Sequence, residues 1–348
     1  MQYLARLHLN LSTPTAILAV FLCAFKASGQ DTLQVKKSVD SSYIERFDDF
    51  FIVKPSITTT AEALVAKTGN FNIVLQPNTS EILRTYFNYH FISFYVDYLP
   101  RFAGANKDDN EKGKTKLFGL GASTNIGQWF ASAGLSKTQG YYVENTVDFR
   151  PDWRDGDAYL QVPDLYFTSY DLALGYNTNK KLSLLATSSQ TERQLKSAGG
   201  FLPKISLRYY IIDDRTATAT SNEKSNNVQA LLGAGYQYTF VLKKTLYLVG
   251  AFTPSFGYIH TKVNNRGKQN SFSFTQRGPI YQWDGKLGLG YNSHTFFAGS
   301  SINAVSAKYS QGLTSAENQN TDLFFELFVG FRLKAPRFIS KNYKKIFN

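Results

Sequence analysis

The chain has 348 residues and a formal charge of +12; 15% of it is aromatic, with 28 Phe and 22 Tyr, and only 18% is charged. Its single Cys excludes a disulfide framework or a thiolate metal site, and the aromatic-rich, charge-poor balance suits a sheet with an aromatic surface better than a helical enzyme. The mean hydropathy of −0.27 reads as soluble on average, yet a β-barrel gives the same value because polar lumen residues alternate with lipid-facing ones.

Residues 1–29 read as a signal peptide. Arg6 is the positive start, Thr15 to Phe25 is an 11-residue apolar run too short to span a bilayer, and Ala27-Ser28-Gly29 is a cleavage site before Gln30. Cys23 lies inside the apolar run, and Leu22 before it is too large for a lipobox, so the mature chain has no Cys. Removing Arg6 and Lys26 lowers the charge to +10. Residues 30–48 are polar and read as a periplasmic N-terminal extension. No later stretch is a transmembrane helix candidate.

From residue 49 the dominant signal is period-two alternation. Tyr166, Thr168, Tyr170, Leu172, Leu174 and Tyr176 share one face, opposite Phe167, Ser169, Asp171, Ala173, Gly175 and Asn177. Val228–Phe240, Tyr281–Asn292 and Thr321–Leu333 repeat the pattern. The apolar rows end in Tyr, Trp or Phe, as an interfacial girdle requires, and the runs match the 9–11 residues of a tilted membrane strand. Tight connections at 89–90, 125–128, 177–180, 242–244 and 292–294 alternate with long polar ones near 100–114, 143–165, 213–227, 261–278 and 311–319. Short periplasmic turns and long outer loops are the asymmetry of an outer-membrane barrel.

Tight turns must all lie on one side, so an even number of strands separates them. That parity merges 70–89 across Pro77 and 181–213 across a break. Twelve strands result: 51–59, 70–89, 91–99, 115–126, 129–142, 166–177, 181–213, 228–240, 244–260, 278–292, 294–310 and 320–333. The fold read from the sequence is all-β, a transmembrane antiparallel up-and-down β-barrel over residues 49–333. Residues 334–348, with Lys334, Arg337, Lys341, Lys344 and Lys345, read as a solvated basic tail.

One string is distinctive: Lys181-Leu182-Ser183, then Gln190-Thr191-Glu192-Arg193-Gln194-Leu195-Lys196-Ser197-Ala198-Gly199-Gly200-Phe201-Leu202. With Pro77-Asn78, Gly235-Tyr236-x-Tyr238 and Gly330-Phe331-Arg332, it resembles the Bacteroidetes outer-membrane family known as domain of unknown function 4421, over roughly residues 45–335. The resemblance implies an exported barrel and no established activity.

Polar residues within a membrane domain are functional candidates because they are costly there. Gln190, Glu192, Arg193, Gln194, Lys196 and Ser197 lie where the segment 181–213 breaks, and Gly199-Gly200 would permit a tight reversal. They read either as an inward fold constricting the lumen or as a loop bonded to itself. Asp171, Asp284, Lys286, Asp322, Glu326 and Arg332 share the lumen face and read as a paired interior network or a solute path.

Catalytic motifs are scarce. Only His260 sits near a long loop, as an outer-rim enzyme would need. Asp152, Asp155, Asp157 and Asp164 form an acidic patch whose spacing matches no calcium loop. No cofactor, metal or catalytic residue is expected. The partners expected are outer-membrane lipid and lipopolysaccharide, with the barrel-assembly machinery during insertion; export argues against nucleic acid. The reading is a non-enzymatic narrow passage or structural barrel. Its rivals are a lipid- or lipopolysaccharide-modifying enzyme of the outer membrane and a soluble periplasmic β-protein.

Overall fold

The computed structural model describes residues 40–59, 63–68, 71–101, 107–216, 221–267, 271–310 and 317–347. The segment read as a signal peptide lies outside them. In chain order the elements are β1 (Ile44–Arg46), β2 (Phe50–Thr59), β3 (Leu64–Thr68), β4 (Phe71–Gln76), β5 (Ile82–Tyr89), β6 (Ile92–Tyr98), α1 (Asp109–Lys112), β7 (Lys116–Ile126), β8 (Trp129–Val143) and β9 (Gln161–Tyr176). There follow β10 (Glu192–Gln194), β11 (Ala198–Asp214), β12 (Ser221–Leu242), β13 (Leu246–Gly267), β14 (Ser271–Asn292), β15 (Phe296–Ser310), β16 (Glu317–Lys334) and α2 (Arg337–Phe347). Ser38–Ala335 forms one compact unit, and α2 belongs to another.

Twelve strands close into a barrel: β2, β5, β6, β7, β8, β9 and β11 to β16, each antiparallel to its neighbour. The ring closes where β16 meets β2, with Phe331 opposite Val53 and Leu333 opposite Phe51. Closure leaves no sheet edge along the wall, which a bilayer demands of a spanning sheet.

Burial settles which way the two faces look. Leu287, Leu323 and Leu232 are 69%, 66% and 65% exposed on the outside, whereas Lys54, Asp97 and Gln229 are 3%, 6% and 7% exposed on the inside. This is a soluble protein's pattern turned inside out. In water the outer rows would be one continuous apolar patch, far larger than monomeric soluble proteins leave bare. Among the described residues, buried apolar side chains form only small groups, such as Ile52, Phe297 and Phe328, and none makes the two-layer core that the soluble β-protein reading requires. Aromatic rings also lean over glycines of the next strand on the inner face: a Cβ on Gly121 would lie 2.3 Å from the Tyr95 ring, and one on Gly330 would lie 2.3 Å from Phe297. The small residues of the inner rows are the space these rings occupy.

The strand number agrees with the sequence reading; two merged strands do not. Only Ile82–Tyr89 of the expected 70–89 is in the wall. Phe71–Gln76 pairs with β3 instead and meets β8 only through Leu75–Val143 and Gln76–Tyr142. The break falls at Pro77, which has no N–H to give a ladder, and Asn78 anchors it by donating its backbone N–H to Thr115 Oγ1 at 2.8 Å and its side chain to the Gly113 carbonyl at 2.9 Å.

Of the expected 181–213, only Ala198–Asp214 is wall. Residues 181–191 form turns, because the Thr187 and Ser188 hydroxyls and the Ser188 N–H bond back to the Leu184 carbonyl and so compete with sheet pairing. Parity is satisfied because this segment is no strand. Gly199 and Gly200 lie within β11 and make no reversal. Gly200 instead lets residues 177–182 pack close, since a Cβ there would come within 2.9 Å of Asn177 Oδ1.

The ends differ as expected. Tight turns at His90-Phe91, Gly127-Gln128 and Lys243–Thr245 stand at one end, His90, Lys243 and Lys244 taking φ of 51°, 50° and 62°. At the other end β12, β13 and β14 run 22 residues each, so much of the expected loops 213–227 and 261–278 is sheet projecting past the apolar band. Residues 44–46, expected in a free extension, pair with β10. Part of the expected basic tail is the helix α2.

Candidate functional site

The connection from β9 to β11, residues 177–197, is the one turn-end connection that folds inward. Its first support is the strand pair β1–β10, with Ile44 opposite Gln194, Glu45 opposite Arg193 and Arg46 opposite Glu192. Gln194 fastens three stretches of backbone: Oε1 accepts the Ser183 N–H at 2.8 Å, and Nε2 donates to the carbonyls of Lys181 at 2.7 Å, Lys196 at 3.0 Å and Tyr43 at 3.3 Å. Glu192 accepts from the Ser183 hydroxyl at 2.6 Å and lies 3.9 Å from the Arg46 guanidinium. Burial pushes its carboxyl above the ordinary Glu value, with the Ser183 bond and Arg46 opposing. Arg193 pairs with Glu45.

The wall then grips this insert from five strands. Gln190, fully buried with φ of 62°, donates to the Tyr247 hydroxyl at 3.2 Å and accepts from Asn292 Nδ2 at 2.8 Å. Arg332 donates to the Gln190 carbonyl at 2.7 Å, to Asn292 Oδ1 at 2.5 Å and to the Ser293 carbonyl. Its guanidinium lies 3.8 Å above the Phe47 ring, an arrangement that suits a weakly hydrated planar cation. From the adjoining strands β2 and β5, Lys54 donates to the Ser188 carbonyl at 2.9 Å and Asn88 to that of Ser189 at 3.0 Å. Arg332 Nε has no hydrogen-bond partner, but the other bonds hold one arrangement, because each broken bond would leave a desolvated partner. The turn end of the lumen therefore has a floor.

Above the floor the lumen is lined by opposed charges. Arg84 grips Asp97 through two bonds of 2.6 and 2.8 Å, with the guanidinium 4.3 Å from the Tyr95 ring. Lys54 reaches Glu326 at 3.5 Å and lies 3.9 Å over the Tyr86 ring. Lys204 meets Asp284 at 2.8 Å, and Arg208 meets Asp171 at 3.2 Å. A cavity of about 410 Å³ lies among Arg84, Asp97, Asp171, Lys204, Arg208 and Asp284, and no residue of 177–197 borders it.

The sequence-derived candidates thus separate into two places. Gln190, Glu192, Arg193 and Gln194 build the floor, joined by Arg332, which was expected in the lumen network. Lys196 is exposed near the Tyr43 ring, and the Ser197 hydroxyl accepts the Val241 N–H at 2.9 Å, so both flank the floor. Asp171, Asp284 and Glu326 are lumen ion-pair members, and Lys286 stands on β14, with β15 between it and Glu326 on β16. Asp322 stands opposite Val305 in β16; its side chain lies outside those described.

Sequence reasoning missed the cations Lys54, Arg84, Lys204 and Arg208, and the anchors Asn88, Asn292 and Tyr247. The parity of their strands places all of them on the inner face.

His260 gains no acid or nucleophile. Its Nδ1 accepts from Arg277 Nε at 3.0 Å. Asp157 bonds the Arg154 N–H at 2.9 Å within its own loop. Among the described residues, no three His, Cys, Asp or Glu side chains gather as metal ligands.

Among solved structures, the chain is similar to the copper transporter OprC at 8% identity and TM-score 0.31, over 82% of this chain and 43% of that one. It is similar to a loop-deletion mutant of OmpT, an outer membrane protein of Vibrio cholerae, at 8% identity and TM-score 0.30, over 83% and 99%. The translocator domain of the autotransporter NalP from Neisseria meningitidis matches at 8% identity and TM-score 0.27, over 92% and 97%. The chain thus spans less than half the length of OprC. These likenesses are remote, and the barrel assignment stands on the strand pairing itself. No curated protein matches the chain. The family model for the domain of unknown function DUF4421 matches residues 38–333, which is most of the chain, and the protein belongs to that family.

Proposed function

We propose that this protein is a plugged, non-conducting barrel of the bacterial outer membrane, delivered there by the leader read at residues 1–29, and that it serves as a membrane-anchored structural element. The observation that carries the reading is the floor. Arg332, Asn292 and Gln190 form a buried chain of hydrogen bonds at the turn end, and Lys54 and Asn88 hold the same insert from the adjoining strands β2 and β5. A solute path needs a continuous wet lumen, and this one is stopped by bonded backbone. The apolar outer band supports the membrane location. Nothing at His260 favours hydrolysis, since its ring nitrogen faces a guanidinium.

The test is reconstitution of the purified barrel into planar bilayers with current recording. The reading expects no discrete conductance steps and retention of the protein in the membrane fraction after alkaline wash. Regular steps from the unmodified protein would overturn the plugged state, and release by alkali would overturn the membrane location.

A further inference from the structure

We propose that α2 is an interfacial anchor whose apolar face lies in the anionic phospholipid of the leaflet at the turn end of the barrel. The inference rests on the membrane-spanning reading. β16 ends at Lys334, paired with Phe50 at the turn end, and Ala335 donates its N–H to the Asp49 carbonyl at 3.0 Å. Ala335, two residues before the helix, is therefore fixed to the wall. Pro336 cannot prolong a ladder, and its carbonyl accepts the N–H groups of Ile339 at 3.0 Å and Ser340 at 3.2 Å, which starts the helix.

Eleven helical residues are too few to cross a bilayer. At the helical period, Phe338, Ile339 and Tyr343 fall on one half of the cylinder and Arg337, Lys341 and Lys345 on the other. No Asp or Glu occurs anywhere in 335–348, so the segment holds no acidic side chain to neutralise its cations. Phe338 is 67% exposed. A short helix divided into a Phe/Ile half and a purely cationic half has the composition of a segment that lies in the plane of an anionic membrane surface. The helix is joined covalently to the end of β16, so binding is intramolecular and needs little affinity of its own. Short turns mark the inner side of such barrels, which is the phospholipid leaflet and not the lipopolysaccharide one.

The experiment uses the full barrel in nanodiscs, with Cys23 replaced by Ser where the leader is retained. A nitroxide is placed in separate variants at Ile339→Cys, Lys341→Cys and, on the barrel wall, Leu287→Cys. Access to oxygen and to a water-soluble nickel chelate is read by power saturation in discs of phosphatidylcholine with phosphatidylglycerol and in discs of phosphatidylcholine alone. The expected result is an oxygen-to-nickel ratio several-fold higher at 339 than at 341 in the anionic discs. Replacing Arg337, Lys341, Lys344 and Lys345 by Glu in the 339 variant should abolish the excess, while heat-modifiable gel mobility confirms a folded barrel.

A water-exposed label at 339 beside an oxygen-accessible label at 287 overturns the anchor and leaves the barrel standing. A 339 label shielded from both reagents also overturns it, because the helix then docks on protein. A water-exposed label at 287 overturns the membrane reading itself.

Discussion

Replacing Arg332 by Met should open the barrel floor without dismantling the wall. The side chain is 5% exposed and donates to Gln190, Asn292 and Ser293. Met keeps most of the stem but removes every donor. Bonds to a charged group are worth about 1.5–3 kcal/mol each. They are not additive, and the cost of carrying the cation into the interior is relieved at the same time. Breaking one partner of a buried charged network costs about 3–5 kcal/mol. The wall ladder of β15, β16 and β2 uses only backbone groups there, so the loss falls on residues 177–197. A loss of about 4 kcal/mol is roughly a thousandfold shift toward an undocked floor. In planar bilayers the variant should show frequent discrete openings where the parent is silent, with unchanged heat-modifiable gel mobility. A silent variant with unaltered thermal stability would refute the argument that Arg332 locks the floor.

Gly121→Leu should lower the thermal midpoint by an amount equivalent to about 1–3 kcal/mol, because Tyr95 and with it the Arg84–Asp97 pair must move; an unchanged midpoint by circular dichroism would show that the ring yields freely. Asp48 gives a pH prediction. Burial pushes its carboxyl up, but His90 at 3.3 Å and Arg46 at 3.0 Å outweigh that and hold it below the ordinary carboxylate value. Its stabilisation is therefore complete above the unfolded pKa of about 3.9 and disappears as pH falls through the lower folded value. Asp48→Asn should be less stable than the parent at neutral pH and equal to it in strong acid; since the carboxyl is 45% exposed, the neutral-pH gap should be small and should shrink with salt. His260→Ala should leave the lipid and lipopolysaccharide profile of expressing cells unchanged by mass spectrometry, and an altered acylation pattern would revive the enzyme reading.

The wall was legible because membrane strands obey one strict rule, alternation, and the tight turns fix their parity. Where the chain leaves the apolar band that rule lapses. The outer ends of β12 and β13 are polar on both faces apart from Val263, so Ser221–Asn227 and Thr261–Gly267 read as loop although they pair throughout. Residues 181–191 failed for the opposite reason: their mixed apolar and hydroxyl pattern looks extended, but Thr187, Ser188 and Ser189 spend their hydroxyls on local carbonyls. α2 was hidden in a charge count, because its 3.6-residue period shows only when Phe338, Ile339 and Tyr343 are placed on a wheel. In the lumen, parity placed Asp171, Asp284, Glu326 and Arg332 on the inner face. It said nothing of distance around the ring, so the departure of Arg332 from the charge layer to the floor could not be foreseen.

The stopper is spliced into the wall at both of its ends, with Tyr176 paired to β8 on one side and Ala198 to β12 on the other. A tongue held at two neighbouring staves can swing but never be expelled, so any unblocking must be reversible and local. The strip Tyr43–Phe47 that braces it is continuous with the wall only through β2, and peeling that strip away would take the ring of Phe47 out from under Arg332. A pull on the amino-terminal side of the chain therefore loads the β1–β10 pair and the Phe47–Arg332 contact along with β2.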